Sequence, residues 1–362
     1  VAAVTKAEAF LVDLKVEQTR TDAVQAFLKQ ETLFVELTTA DGATGLGYSY
    51  TIGTGGTAVL ALLRDHLLPR LVGQDSRLVE GIWRDLFAST RATTVGAITS
   101  LALAAVDTAL WDLKCRRAGE PLWRVAGGSG PRVPLYDTEG GWLHLSTDEL
   151  VAGAAKSAAA GWGGVKVKVG KPTAREDLER LTAVREAVGP RFDLMVDANQ
   201  SMTAAEAIRR AKAFEPVDLF WLEEPLPADD VSGHARLAAA TSIPIAVGES
   251  MYSLAQFRDY LHRGAASIVQ VDVARVGGIT PWLKVAHLAE AYHVEVCPHF
   301  LMELHVSLTA AIPNGRYVEH IPQLRAITTA EMTIEDGHAV APETPGLGIA
   351  WDHDAMDNRR VA

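Results

Sequence analysis

The chain has 362 residues, 48% hydrophobic and 22% charged, so it can bury a large core and is long enough for a barrel plus a second domain. A formal charge of −11 without a Lys/Arg cluster gives no electrostatic footprint for nucleic acid or an anionic membrane, and no apolar run approaches the roughly 18 residues of a membrane span. Two distant cysteines, Cys115 and Cys297, argue against a disulfide framework or a thiolate metal site. The first residues lack the basic-then-apolar order of a signal peptide, so the expected location is cytoplasmic.

In chain order, Phe34 to Thr39 alternates as a strand, Asp41-Gly42 reads as a turn, and Gly45 to Tyr50 as the returning strand. Helical periodicity follows from Thr57 to about Leu71 and from Ile98 to Leu113. An antiparallel sheet followed by helices is an α+β domain, assigned to residues 1–125, and Gly127-Gly128-Ser129-Gly130-Pro131 reads as its boundary. Strands then alternate with helices. The strands are Val133–Asp137, Gly164–Val169, Asp193–Val196, Leu219–Leu222, Ile243–Val247, Ile268–Val271, Val294–Cys297 and Tyr317-Val318. Among the intervening helices are Arg175–Ala187, Ala204–Phe214 and Trp282–Tyr292, the last opened by Thr280 as N-cap with Pro281 at the first helical position. Eight such repeats over 126–327 favour an α/β fold of the (β/α)8 TIM-barrel type over an open doubly wound sheet. Residues 328–362, rich in Gly and Pro, lose the alternation and are expected to pack on the first domain, which with them forms a cap.

Three acidic residues follow apolar runs at equal steps: Asp197, Glu223 and Glu249, each 26 residues from the next. That interval is one strand-loop-helix-loop repeat, so the carboxylates fall at the ends of consecutive parallel strands, where hard oxygen ligands suit a divalent cation, Mg²⁺ foremost. Lys166 and Lys168 are two apart on a strand and share a side, here the barrel interior. A lysine held near another cation loses its proton more easily and can act as a general base. Asp272 and His299 each end a later strand, where a carboxylate beside a histidine fixes the imidazole tautomer. Glu319 ends the eighth strand.

These residues resemble the enolase superfamily and, within it, the mandelate racemase subgroup. The likeness rests on Lys166-Val167-Lys168, the Asp197, Glu223 and Glu249 metal ligands, Asp272 with His299, and Glu319. Within the subgroup, Val196-Asp197-Ala198-Asn199-Gln200, Trp221-Leu222-Glu223-Glu224-Pro225, Arg275-Val276-Gly277-Gly278 and Pro298-His299-Phe300 look most like the acid-sugar dehydratases, particularly those acting on talarate and galactarate. The resemblance implies a Mg²⁺-dependent lyase that removes the proton α to a carboxylate and eliminates water to give a 2-keto-3-deoxy acid. Lys168 and His299 would face opposite sides of the α-carbon, Lys166 would lower the pKa of Lys168, Glu319 would assist the dyad, and Asn199 would contact the substrate. A racemase or epimerase and a sugar-acid lactone cycloisomerase are the rival activities. Muconate-lactonising relatives usually carry a lysine where this chain has Asp272, which counts against that branch. A metal-binding sugar-acid sensor would not need Lys168 or His299. The expected partner is a small carboxylate substrate, in a homo-oligomer.

Alone, each residue has a plainer reading: solvated strand lysines, a helix-capping carboxylate, a hydrogen-bonded core histidine. Their succession on the strands of one barrel overrides these. His305 and Cys297 keep the plain reading, and Glu224 is read as supporting the site from behind. Segments Val16–Gln30 and Tyr48–Thr57, the latter containing the Gly53-Thr54-Gly55-Gly56 run read as a mobile flap, are the family's expected specificity elements. Glu139 and the Glu319-His320-Ile321-Pro322 run depart from the talarate/galactarate pattern.

Overall fold

In the computed structural model, which describes residues 2–93 and 96–362, the chain opens with an antiparallel meander of β1 (Val4–Lys15), β2 (Lys29–Thr39) and β3 (Thr44–Thr51). Gly42 takes φ 80° in the turn, a conformation open to glycine at no steric cost, and β2 and β3 pair from Thr38↔Thr44 to Glu31↔Thr51. β1 shows no alternation because Ala9 to Val12 are buried in succession. Its free edge is covered by the chain's end: Leu11 N–H donates to Ala362 O and Val361 N–H to Leu11 O (3.0 and 2.9 Å).

Helix α1 (Gly56–Leu62) runs into a π turn at Leu63–Leu67 and a 3-10 turn at Leu68–Arg70. The short α2 (Val79–Ser89), absent from the sequence reading, buries Val79, Ile82 and Leu86. α3 (Ala97–Ala118) is buried on nearly every side. It lies directly on β3 because Gly47 has no side chain; a Cβ there would come within 2.1 Å of Ala109 N. α4 (Leu122–Val125) leads to the barrel.

The barrel alternates β4 (Arg132–Asp137), α5 (Thr147–Ala159), β5 (Gly164–Lys168), α6 (Ala174–Val188), β6 (Asp193–Asp197), α7 (Ala204–Phe214), β7 (Trp221–Glu223), α8 (Val231–Ala238), β8 (Ile245–Val247), α9 (Leu254–His262), β9 (Ile268–Val269), α10 (Ile279–Ala291), β10 (Glu295–Val296), α11 (Met302–Ala310) and β11 (Val318–His320). Neighbouring strands pair in parallel from β4 to β10, and β11 pairs with β4. The ring closes where Val296 N–H donates to Asn314 O and Arg316 N–H to Val296 O (2.9 and 3.0 Å). Every predicted barrel strand is present. Tyr136, Met195, Trp221, Ala246, Ile268, Cys297 and Tyr317 form one buried cluster, in which Cys297 is a small apolar group.

One expectation needs correction. α10 starts at Ile279 with Gly278 as N-cap, so Thr280 and Pro281 lie inside its first turn. Asp107 of α3 supplies the capping oxygens instead, accepting from Thr280 N–H (2.8 Å) and Thr280 Oγ1 (2.7 Å). Glu31 ties the two ends of the Gly53–Gly56 run, accepting from both Thr51 Oγ1 (2.6 Å) and Gly56 N–H (3.0 Å).

No α-helix directly follows β11; Arg325–Ile327 makes a 3-10 turn, and β12 (Thr333–Glu335) and β13 (His338–Val340) form a hairpin that pairs antiparallel with β4. The chain then crosses to the meander, where Trp351 meets the edges of Phe34 and Tyr48 (5.1 and 5.3 Å), and ends after α12 (His353–Asp357). Among the described residues no helix is long and apolar enough to cross a membrane.

Candidate active site

Each strand from β5 to β8 ends in, or is soon followed by, a charged side chain that the parallel register brings to one level of the barrel mouth: Lys168 pairs with Asp197, and Asp197 with Glu223. Asp197, Glu223 and Glu249 are buried, and each offers a ligand oxygen within 4.8 Å of the others, a fit for one small divalent cation. Their outer contacts hold them in place. Asn199 N–H donates to Asp197 Oδ1 (2.8 Å), Trp221 Nε1–H to Glu223 Oε2 (3.0 Å), and Arg275 Nη1 approaches Glu249 Oε1 (3.4 Å). Asn199 reaches this position with φ 44°, and its side-chain Oδ1 is buried without a partner.

The two lysines lie within the same cluster. Lys166 Nζ is 2.9 Å from Glu223 Oε1, 2.8 Å from Glu319 Oε1 and 3.9 Å from Asp197 Oδ2, while Lys168 Nζ contacts Asp197 Oδ2. Burial and Lys166 both act to lower the pKa of Lys168, but the attraction of Asp197, aided by Glu223 and Glu249, outweighs them and raises it. Burial pushes the Glu223 carboxyl up to about 7, with Asp197 adding to the shift.

His299 closes the other end of the trio. Its Nε2 lies 3.2 Å from Glu249 Oε2 and its Nδ1 2.9 Å from Asp272 Oδ2. Burial opposes a charge on this ring, but Glu249 and the Asp272 hydrogen bond raise its pKa above the ordinary value. Burial likewise opposes the Asp272 charge, yet the His299 hydrogen bond brings that pKa down to about 2. Asp272 Oδ1 is fixed by the N–H groups of Ala274 and Arg275 (2.8 and 3.1 Å). Glu319 accepts from Thr138 Oγ1 (2.6 Å) and Phe300 N–H (2.8 Å), and although burial opposes its charge, Lys166 holds its pKa well below the carboxylate range.

The sequence reading missed several members. Tyr50 of β3 donates to Asp272 Oδ2 (2.7 Å) across 222 positions of chain, a contact without local signal. Arg20, buried, reaches the barrel rim, where it pairs with Glu139 Oε1 (2.5 Å) and donates to Gln323 Oε1 (2.8 Å). The acidic departure at Glu139 is therefore neutralised. Gln200 ties Glu224 to Ser250 (3.0 and 2.8 Å) behind the trio. His305 is a core residue: Nε2 accepts from Val273 N–H (3.1 Å), Nδ1 faces Phe300 O (3.0 Å), and burial lowers its pKa to about 4.

With this geometry in view, the family models are decisive. Residues 6–127 match the mandelate racemase / muconate lactonizing enzyme N-terminal domain, and residues 149–355 the enolase C-terminal domain-like family. The chain belongs to the mandelate racemase / muconate lactonizing enzyme family of the enolase superfamily. Members similar to it include the L-talarate/galactarate dehydratase of Salmonella typhimurium, 38% identical over 89% of this chain and 81% of that protein. The 3,6-anhydro-alpha-L-galactonate cycloisomerase of Streptomyces coelicolor is 39% identical over 93% of both chains. The crystal structure of L-talarate dehydratase from Polaromonas sp. JS666, complexed with Mg and L-glucarate, superposes with TM-score 0.94 at 38% identity, covering 99% of this chain and 98% of that one.

Proposed function

We propose that this family member is a Mg²⁺-dependent dehydratase of acid sugars. The observation that carries the reading is the placement of two acid/base groups at opposite ends of the carboxylate trio: Lys168 on Asp197 and His299 on Glu249. A Mg²⁺ ion held by Asp197, Glu223 and Glu249 would supply the positive charge that binds the substrate carboxylate and stabilises the enediolate formed when the α-proton leaves. Such an ion would also draw Asp197's charge away from Lys168, the condition under which Lys168 can give up its proton.

Lys168 and His299 then flank the α-carbon, and one of them takes its proton. The hydroxyl on the β-carbon departs with a proton donated by the imidazolium that Asp272 supports, leaving as water. The remaining enol tautomerises to a 2-keto-3-deoxy acid, so the net change is loss of one water. Lys166 and Glu319 hold each other within this site, and Asn199, whose Oδ1 lacks a partner, would meet the substrate beside Asp197. The similarly close cycloisomerase supports a second reading, in which the same α-proton chemistry opens a ring ether of a sugar acid instead of expelling hydroxide.

Chelation should abolish 2-keto acid formation from an acid-sugar panel and Mg²⁺ should restore it. Lys168→Ala and His299→Asn should each lower turnover by about 10²–10⁴-fold. Full activity after exhaustive chelation, or near-normal rates in both variants, would overturn the assignment.

A further inference from the structure

The rim beside Lys168 is closed by the segment between β1 and β2. Thr21 O accepts from Leu143 N–H (3.0 Å), Phe27 packs on Trp142 (5.5 Å), and the Trp142 ring lies 5.3 Å from Lys168 Nζ. Ala23 sits against Gly170, two residues past Lys168; a Cβ on Gly170 would be 2.7 Å from that of Ala23. Asp22 is thus held between two docked neighbours at the mouth.

Its carboxyl is divided in use. Oδ1 accepts from Val24 N–H and Gln25 N–H (2.7 and 2.8 Å), which fixes the turn, whereas Oδ2 is buried without a partner in a residue only 7% exposed. A buried carboxylate oxygen without a donor is costly unless a ligand brings one. The Lys and Arg side chains at the mouth described above are already matched: Lys166 by Glu223 and Glu319, Lys168 by Asp197, Arg20 by Glu139, and Arg275 by Glu249. A substrate carboxylate brought against Asp22 would meet a like charge, whereas a hydroxyl there would supply the donor that Oδ2 lacks.

We infer that the site selects monocarboxylate sugar acids, the aldonate class, whose distal hydroxyl donates to Asp22 Oδ2, and discriminates against dicarboxylates. The inference rests on the dehydratase reading above and names its substrate class. Asp22→Asn is the informative change, because the amide keeps Oδ1 for the turn and places an N–H donor where the orphaned oxygen lies.

Purified enzyme with Mg²⁺ would be tested on pairs of acids of matched stereochemistry that differ only in a terminal CH2OH or carboxylate. Wild type should favour the CH2OH member by at least about tenfold in kcat/KM, and Asp22→Asn should lower that value about 10–100-fold while leaving or raising that for the dicarboxylate. A wild-type preference for dicarboxylates, or an equal loss on both classes in Asp22→Asn, would overturn the selection by Asp22 while the dehydratase reading stood. Absence of Mg²⁺-dependent α-proton exchange in D2O with every member of the panel would overturn both.

Discussion

One oxygen, Asp272 Oδ2, receives two donors from different parts of the chain: His299 from the barrel and Tyr50 from the meander. Tyr50 also packs in a tilted arrangement on Phe300, the neighbour of His299, with ring centroids 4.6 Å apart. Tyr50→Phe keeps that ring contact and removes only the hydroxyl. A carboxylate relieved of one donor holds more of its charge for the imidazolium, so the limb of the pH–rate profile governed by His299 should move upward. With the dyad less fixed, kcat should fall about tenfold at unchanged KM, and stability by about 1 kcal/mol, the net worth of one such hydrogen bond. An unmoved profile with kcat intact would reduce Tyr50 to packing. The contrast with Asp197, Glu223 and Glu249 shows what a sequence can reveal. Those carboxylates announce themselves because each terminates a short apolar run at the barrel's repeat length. Tyr50, Arg20 and Asp22 act across the domain junction, where spacing carries no message. The contact between Lys168 and Asp197 was hidden for a related reason: how closely the two approach is not fixed by order along the chain.

The same distinction holds for elements. All eight barrel strands were legible because each is an apolar run between helical segments, whereas β1, covered at its edge by the tail, and the three-turn α2 gave weak periodic signals. The start of α10 was misplaced because its capping group comes from α3. Asp107 there is buried, and burial pushes its pKa up to about 7 despite the donors from Thr280, which act to lower it. A folded-state pKa raised above the unfolded value means that the folded chain holds a proton the unfolded chain has released. That stability is fully present below about pH 4 and disappears as pH rises through about 7. Asp107→Asn cannot titrate, and loses one acceptor. Urea unfolding at pH 5 and pH 8 should therefore show the wild-type advantage over this variant shrinking at the higher pH. A gap that stays constant or widens would mean that the carboxylate is charged throughout and that the helix N-terminus outweighs burial.

At the scale of the molecule, the last residues connect the two bodies that make the site. β13 lies on β4 of the barrel, and residues 359–362 run along β1, with Asp13 N–H donating to Arg359 O at 3.2 Å beside the Leu11 contacts. Between them Trp351 packs on Phe34 and Tyr48, so the strand that carries Tyr50 is stapled to the barrel through the tail. The carboxylate trio, Lys168 and His299 all belong to the barrel, and the trio's ligand oxygens converge without help from the meander. Ending the chain at residue 350 should therefore leave Mg²⁺ binding close to wild type while turnover collapses, because the meander no longer seats Tyr50 on Asp272 or Asp22 at the rim. Calorimetric Mg²⁺ titration would be measured beside turnover and thermal unfolding. Loss of a large aromatic contact alone is worth about 3–5 kcal/mol, which thermal unfolding should register as a lower melting temperature. If truncation abolished metal binding together with activity in a single unfolding step, the two bodies would be one cooperative unit and the tail a part of its core. If turnover survived truncation, the meander would seat Tyr50 without the tail, and the barrel contacts of residues 17–28 would suffice to hold it.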